Sequence, residues 1–316
     1  MNQYARRSSD REHRPGRHVW AVLARAAVTT DHAIGALVAE LGADAAAAHL
    51  TDDPPRYGLP AELAALAAED LEQAARVGAR LVTPADEEWP GQQLSILDAL
   101  HVGARAPLAL WARGPHRMNA FLDRTVAVTG SRACSAYGRH VAQEFAGYFA
   151  DRGWTVISGG SFGIDADAHL AVLNRSGATI AVLATGIDRL YPTGNQHLLS
   201  RIAEHGLLVS EYPPGTPPLK SRFRERNRLV TALARGVVVA EAAVRSASTD
   251  TIDWAHRLAR PVFAVPGSIF SATSTGCHAF IRDGRARLVT DPSQVIDHLT
   301  GHDQPTRAHA KPSPAR

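Results

Sequence analysis

"TVAVTGSRACSAYGRHVAQEFAGYFADRGWTVISGGSFGIDADAHLAVL", residues 125–173, holds two short Val/Ile/Ala runs that each end in glycine, "TVAVTG" (125–130) and "WTVISGG" (154–160). Between them "GRHVAQEFAGYFADRG" is long enough for a crossover helix. Near-continuous apolar residues, in place of alternating ones, mark strands buried on both faces, and such strands belong to parallel sheets covered by helices. The pattern continues with "TIAVLATG" (179–186), "GLLVSEY" (206–212), "GVVVAEA" (236–242), "PVFAVPG" (261–267) and "RLVT" (287–290). The fold class expected is therefore α/β: an extended Rossmann-like, largely parallel sheet covered by helices, over residues 125–300.

Upstream, residues 18–75 are rich in Ala and Leu at helical spacing and form a small helical module. "AVLARAAVTTDHAIGALVAELG" predicts one helix, a cap at Thr30-Asp31 and a second helix ending near Gly42; "AELAALAAEDLEQAARVG" predicts another. Residues 76–124, broken by Pro and Gly, are a connector with one or two short strands packed on the main domain.

Of 316 residues 45% are hydrophobic, enough for a sizeable core. No apolar run approaches the ~20 residues of a bilayer span, and "MNQYARRSSDREHRPGR" lacks the apolar segment of a signal peptide. Cys134 and Cys277 give neither a disulfide framework nor metal-ligand spacing. A soluble, cytoplasmic protein without membrane contact is expected. The pI of ≈ 9.1 belongs to the ends. Residues 1–17 carry a net +3 and 301–316 a net +2 against a total of +3, leaving the body at −2. Both tails are polar, Pro-containing and aperiodic, as disordered segments are.

In parallel sheets ligands bind beyond the carboxyl ends of the strands. There the first strand ends in Gly130, Ser131 and Arg132. The second ends in Ser158, Gly159 and Gly160, followed by Gly163 at the opening of a helix. Glycines let backbone N–H groups approach a ligand, and a helix start adds partial positive charge, so an anion site is expected, most simply for phosphate.

The fourth strand runs into "LKSRFRERNRL" (219–229), where Lys220, Arg222, Arg224, Arg226 and Arg228 surround Phe223 and Asn227. An extended chain would put all five cations on one side, whereas a helix would spread them around its axis. The stretch is expected to enter a helix at Arg224, as "RERNRLVTALARG" (224–236). Five cations with an aromatic suit a chain of phosphates whose bases stack, which means single-stranded nucleic acid. The plainer alternative makes Phe223 a core residue. For catalysis there is little: fifteen His are scattered without a metal-binding motif, and Glu211 and Glu241 at strand ends are expected to pair with arginines. No metal, cofactor or catalytic residue is expected.

These segments, in this order, resemble the DNA-processing protein A (DprA, also Smf) family. The likeness lies in "TGSR" (129–132), "ISGGSFGIDADAHLAVL" (157–173), "AVLATGIDRLYP" (181–192), "SEYPPG" (210–215), "FRERNRLVTAL" (223–233), "VVVAEA" (237–242), "VFAVPG" (262–267) and "STGCHAFIRDG" (274–284). The resemblance covers roughly 80–300, and the N-terminal module looks like the family's small sterile-alpha-motif-like domain.

It implies a homodimeric recombination mediator without enzymatic activity. Such a protein protects single-stranded DNA and helps load the RecA recombinase in DNA uptake, natural transformation and recombination. Position by position it implies phosphate-holding turns at Gly130, Ser131, Arg132 and at Ser158, Gly159, Gly160, Gly163. It also implies a DNA-contacting Lys220, a base-stacking Phe223, and Arg226, Asn227 and Arg228 as the family's R-N-R.

The chain departs from the family at Arg224, where Pro is usual, and in "RSASTDT" (245–251), where Ala247 replaces a glycine and Asp250 adds a negative charge. Many members also carry a C-terminal winged helix, where this sequence reads "GHDQPTRAHAKPSPAR", so nothing of that domain carries over. Two alternatives are a nucleotide-binding or nucleotide-hydrolysing enzyme and an interaction module with a decayed DNA site. Hydrolysis is opposed by Pro266-Gly267-Ser268-Ile269-Phe270, which lacks the second Gly and the Glu of P-G-G-x-G-T-x-x-E.

Overall fold

The computed structural model describes residues 15–100, 106–244, 246 and 248–301. Most of both basic tails, Arg245 and Ala247 lie outside the described residues.

Trp20, Leu23, Ile34 and Val38 are all buried along one helix, α1 (Arg17–Leu41). The break expected at Thr30-Asp31 is thus corrected: the helix runs through it and ends at Gly42, whose φ is 83°. A Thr-Asp pair caps a helix only where the backbone leaves helical geometry. Here apolar residues at helical spacing continue on both sides, and their burial, roughly 1.5–3 kcal/mol for each large side chain, outweighs the local signal. α2 (Ala43–Asp52) and α3 (Leu63–Arg76) pack against α1.

Next, β1 (Ala79–Val82), α4 (Gly91–Asp98) and β2 (Leu110–Arg113) form the connector. Its strands pair antiparallel with each other, and β2 pairs antiparallel with β6 below. One apolar cluster runs from Leu23 and Leu63 through Trp111 to Leu208, seating the helices on the sheet.

The body alternates strictly: β3 (Thr125–Gly130), α5 (Ala136–Asp151), β4 (Thr155–Ser158), α6 (Ile164–Leu173), β5 (Thr179–Leu183), α7 (Gln196–His205), β6 (Leu207–Ser210), α8 (Lys220–Leu233), β7 (Val237–Glu241), α9 (Ser248–Arg257), β8 (Val262–Ala264), α10 (Thr275–Arg282), β9 (Arg287–Leu288) and α11 (Pro292–Thr300). The strands order β1-β2-β6-β5-β4-β3-β7-β8-β9, parallel from β6 to β9. Side chains alternate faces as strand geometry requires. Val126 and Val128 pack with Phe145 and Phe149 of α5, whereas Ala127 and Val239 pack with Leu229 and Leu233 of α8. Both faces are covered, which is why the strand runs are apolar throughout.

Sequential strands step from β3 one way to β6, then return to the other side of β3 as β7. The order reverses between β3 and β7, and at such a switch point adjacent loops diverge and leave a crevice. No helix among the described residues is long and apolar enough to cross a membrane.

Candidate nucleic-acid interface

At that switch point a cleft of ≈ 740 Å³ opens beyond the strand ends. It is lined by Gly130 and Arg132 after β3, Ser161 and Asp165 after β4, Tyr191 after β5, residues 218–220 and part of α8 after β6, and residues of the loop leading into α9 after β7.

The basic stretch is helical from its first cation. α8 starts at Lys220, four residues earlier than the sequence suggested, so the five cations do not share a face. Lys220 and Arg224 are exposed, while Arg226 and Arg228 are only 3% and 6% exposed. Arg222 donates to the Pro217 carbonyl at 2.6 Å, with its guanidinium 5.3 Å from the Tyr212 ring centre. The helical alternative holds, and the cations are spread around its axis. What does converge on the cleft is Lys220, Phe223, Arg224 and Asn227, spaced i, i+3, i+4, i+7 on one helix face.

Arg226 and Arg228 serve the interior. Arg226 donates to the carbonyls of Gly159, at 2.6 Å, and Val182. A Cβ on Gly159 would lie 2.4 Å from the Arg226 Nη2. The close passage of the guanidinium accounts for a glycine at 159. Burial pushes the Arg226 pKa down to about 10 despite the opposing charge of Asp165, so it stays cationic at neutral pH.

Asp165 accepts from Thr129 Oγ1 at 3.2 Å and from the Ser161 amide at 3.3 Å. Burial raises its pKa, while Arg226 and these hydrogen bonds oppose the rise. Nearby, fully buried His169 falls to about 3, through burial and the Arg226 charge. Arg228 pairs with Glu211 at 2.6 Å, the arginine partner expected for that carboxylate. Glu241 differs: it accepts from Ser135 N and Oγ, at 2.8 and 2.6 Å, and from Thr273 Oγ1, tying the start of α5 to the loop before α10.

Phe223 is half-buried and lines the cleft, which corrects the core alternative. Its ring centre lies 5.9 Å from that of Tyr191, tilted by 57°, and 5.5 Å from the guanidinium carbon of exposed Arg132. Tyr191, 41% exposed, was not among the residues expected from the sequence, although an aromatic in "RLYP" (189–192), in the loop that follows β5, was the available signal. Asp165, Ser161 and Thr249 were missed as well.

The glycine turns are tight for internal reasons. Ser131 N–H donates to the Glu241 carbonyl at 2.8 Å, and Ile164 N–H to the Ser131 carbonyl at 3.2 Å. A Cβ on Gly163, at φ 74°, would lie 2.3 Å from that same carbonyl, and one on Gly130 would lie 2.5 Å from the Glu241 carbonyl. Ser158 is buried and donates to the Val128 carbonyl at 2.7 Å, and Gly160 turns at φ 66° against Leu199. Of the residues expected to form the site, Gly130, Arg132, Lys220, Phe223, Arg226 and Asn227 line the cleft. Ser131, Ser158, Gly159, Gly160, Gly163 and Arg228 are not among its lining residues. Their contacts form a framework that fixes where Arg132 and α8 sit.

The two departures from the family pattern meet at the mouth. Arg224 Nε lies 3.2 Å from Asp250 Oδ2, joining α8 to the first turn of α9.

Comparison with known proteins places this geometry. A family model described as DNA recombination-mediator protein A matches residues 80–300. A Mycobacterium tuberculosis protein, "Putative DNA processing protein DprA", is 48% identical over 240 residues, 75% of this chain and 61% of its own length. Streptococcus pneumoniae "DNA processing protein DprA" is 44% identical over 192 residues, 60% of this chain and 66% of its own. The chain thus spans about three fifths to two thirds of these relatives. The X-ray structure of the S. pneumoniae protein superposes with a TM-score of 0.71 at 32% identity, covering 90% of this chain and 98% of that one. A Helicobacter pylori DNA processing protein A, solved for its single-stranded DNA binding mode, gives 0.61 at 26% identity, covering 72% and 97%.

Proposed function

The chain belongs to the DNA recombination-mediator protein A family, and on that premise we propose that it binds single-stranded DNA in the cleft at its strand-order switch point. The observation that carries this reading is one face of α8: Lys220, Phe223 and Asn227 turn toward Arg132 and the Tyr191 ring. Exposed cations hold a phosphate chain, and an aromatic pair at the cleft gives a base a stacking partner, worth roughly 1–3 kcal/mol per base.

We assign the DNA contact to the body at 125–300, with 18–75 and 76–124 as helical module and connector. The protein would act in the cytoplasm as a homodimeric mediator, protecting strands and helping to load a RecA recombinase. Binding, not catalysis, is the role: of the strand-end carboxylates, Glu211 is held by Arg228 and Glu241 by Ser135 and Thr273.

The test is fluorescence anisotropy with a labelled oligothymidylate, titrated at several salt concentrations against duplex and free-nucleotide competitors. Salt-dependent binding that prefers the single strand and is weakened by Lys220→Ala supports the reading. Competition by free thymidylate as effective as by oligonucleotide would replace it with a nucleotide pocket. Dimerisation is read by light scattering, and loading by nucleation of the recombinase on strands coated with single-strand-binding protein.

A further inference from the structure

Arg224 and Asp250 both line the cleft, 3.2 Å apart, with side chains 67% and 33% exposed. The other acid lining the cleft, Asp165, is buried and hydrogen-bonded to Thr129 and Ser161. Asp250 is therefore the one carboxylate among the described lining residues that a strand would meet. It sits in the first turn of α9, where a carboxylate is stabilised by the helix N-terminus, so it does not depend on Arg224 to be tolerated there.

We propose that Asp250 is a built-in competitor for the phosphates of the strand, holding Arg224 across the mouth of the cleft until a strand anchored elsewhere displaces it. The inference rests on the single-strand reading above and adds to it a specificity-determining pair.

An exposed ion pair contributes only ~0–1 kcal/mol and weakens with salt, so it opens readily. A phosphate of a strand already held at Lys220 and Arg132 arrives at high effective concentration, because the second contact has become intramolecular. A free nucleotide has no such advantage over a tethered carboxylate. The exchange also has a signature in salt dependence. A phosphate that replaces Asp250 on Arg224 leaves a carboxylate behind to recruit its own counterion, so that contact releases no net ion. Without the carboxylate the same contact releases one, steepening log K against log salt by ~0.7 for a single strand.

The experiment is anisotropy with labelled oligothymidylate on the full chain, comparing wild type with Asp250→Asn, Asp250→Ser, Arg224→Ala and the Arg224→Ala/Asp250→Asn double variant. Lys220→Ala is the control, and thermal melts of every variant check the fold. Binding about 3- to 5-fold tighter in Asp250→Asn, from the upper half of the exposed-pair range, with the steeper slope, is expected. Both gains should vanish in the Arg224→Ala background. Unchanged affinity and slope in both Asp250 variants, with Lys220→Ala still weakening binding, overturn the competitor and leave the DNA site intact. A gain that survives in Arg224→Ala also overturns it, since Asp250 would then act by repulsion alone. Lys220→Ala binding like wild type overturns both this inference and the DNA reading it rests on.

Discussion

Arg226→Leu separates an arginine that holds the protein together from one that holds DNA. Arg226 is 3% exposed, and its guanidinium donates to the carbonyls of Gly159 and Val182 and interacts with the charge of buried Asp165. Leucine fills much of the volume but leaves both carbonyls without this donor and the carboxylate without its opposing charge. Removing one member of a buried pair costs about 3–5 kcal/mol.

Part of that loss titrates. Asp165 already has a folded pKa above its unfolded value, and losing Arg226 raises it further. A carboxyl with a raised folded pKa binds more protons folded than unfolded. It therefore destabilises the fold above that pKa, and the penalty disappears as pH falls through it, at about 1.4 kcal/mol per unit of added shift. The deficit of Arg226→Leu relative to wild type should thus be largest at alkaline pH and shrink as the pH falls and Asp165 takes up its proton. In the Asp165→Asn background the pH dependence of the deficit should vanish. Urea unfolding of the four proteins as a function of pH measures it. If Arg226→Leu matches wild type in stability at the alkaline end and loses only DNA affinity, Arg226 is a surface ligand and its assignment to the interior is wrong.

Other expectations rest on separate contacts. His169, buried with a folded pKa of about 3 against 6.5 unfolded, takes up a proton on unfolding, so wild type should lose about 2 kcal/mol between about pH 8 and pH 5 from this group. His169→Gln should lack that share of the acid sensitivity in the same unfolding series. Phe223→Ala should weaken oligothymidylate binding by roughly 1–3 kcal/mol without changing the salt slope, because stacking releases no counterions; Tyr191→Ala should act in the same sense. Gly163→Ala and Gly153→Ala both force alanine to positive φ, but only at Gly163 does the new methyl meet a backbone carbonyl, at 2.3 Å, whereas at Gly153 nothing lies within 4 Å. The first should cost clearly more than the ~1–2 kcal/mol of the left-handed conformation alone, and the second about that amount; equal melting temperatures would contradict the packing account.

The sheet was legible because Val126 to Val128, Ile180 to Leu183 and Val237 to Val239 are buried on both faces, and two-sided burial leaves an unmistakable composition. The switch point was not, since strand order is set by which crossover goes which way and no residue spells that out. In α1 the Thr30-Asp31 signal was real but local, and the apolar stripe on either side outweighed it. The cleft residues divide in the same manner. Arg132, Lys220 and Phe223 could be found because their chemistry is exposed and typical of phosphate and base contact. Gly159 and Gly163 carried the same sequence signature as a phosphate turn, and only three-dimensional neighbours distinguish room left for a ligand from room taken by Arg226 or the Ser131 carbonyl. Tyr191 was hidden because its partner Phe223 lies on α8, far along the chain.

Charge density in a sequence is not charge presented to a ligand, and salt dependence measures the difference. Were "LKSRFRE" extended along a strand of DNA, Lys220, Arg222 and Arg224 would each meet a phosphate, and each would contribute ~0.7 to the slope of log K against log salt. In the helix their situations diverge. Lys220 is exposed at the start of α8; Arg222 is bent back to the Pro217 carbonyl and over Tyr212; Arg224 is already neutralised by Asp250. Lys220→Gln should therefore lower the slope by ~0.7, whereas Arg222→Gln and Arg224→Gln should leave it unchanged. Equal slope losses in all three would mean that the stretch unwinds to line the strand with every cation it has. The fixed face of Lys220, Phe223 and Asn227 would then not be what DNA meets. A loss confined to Lys220 would mean that the helix is kept on binding, and that this chain grips its strand with few phosphate contacts and depends for the rest on the rings of Phe223 and Tyr191.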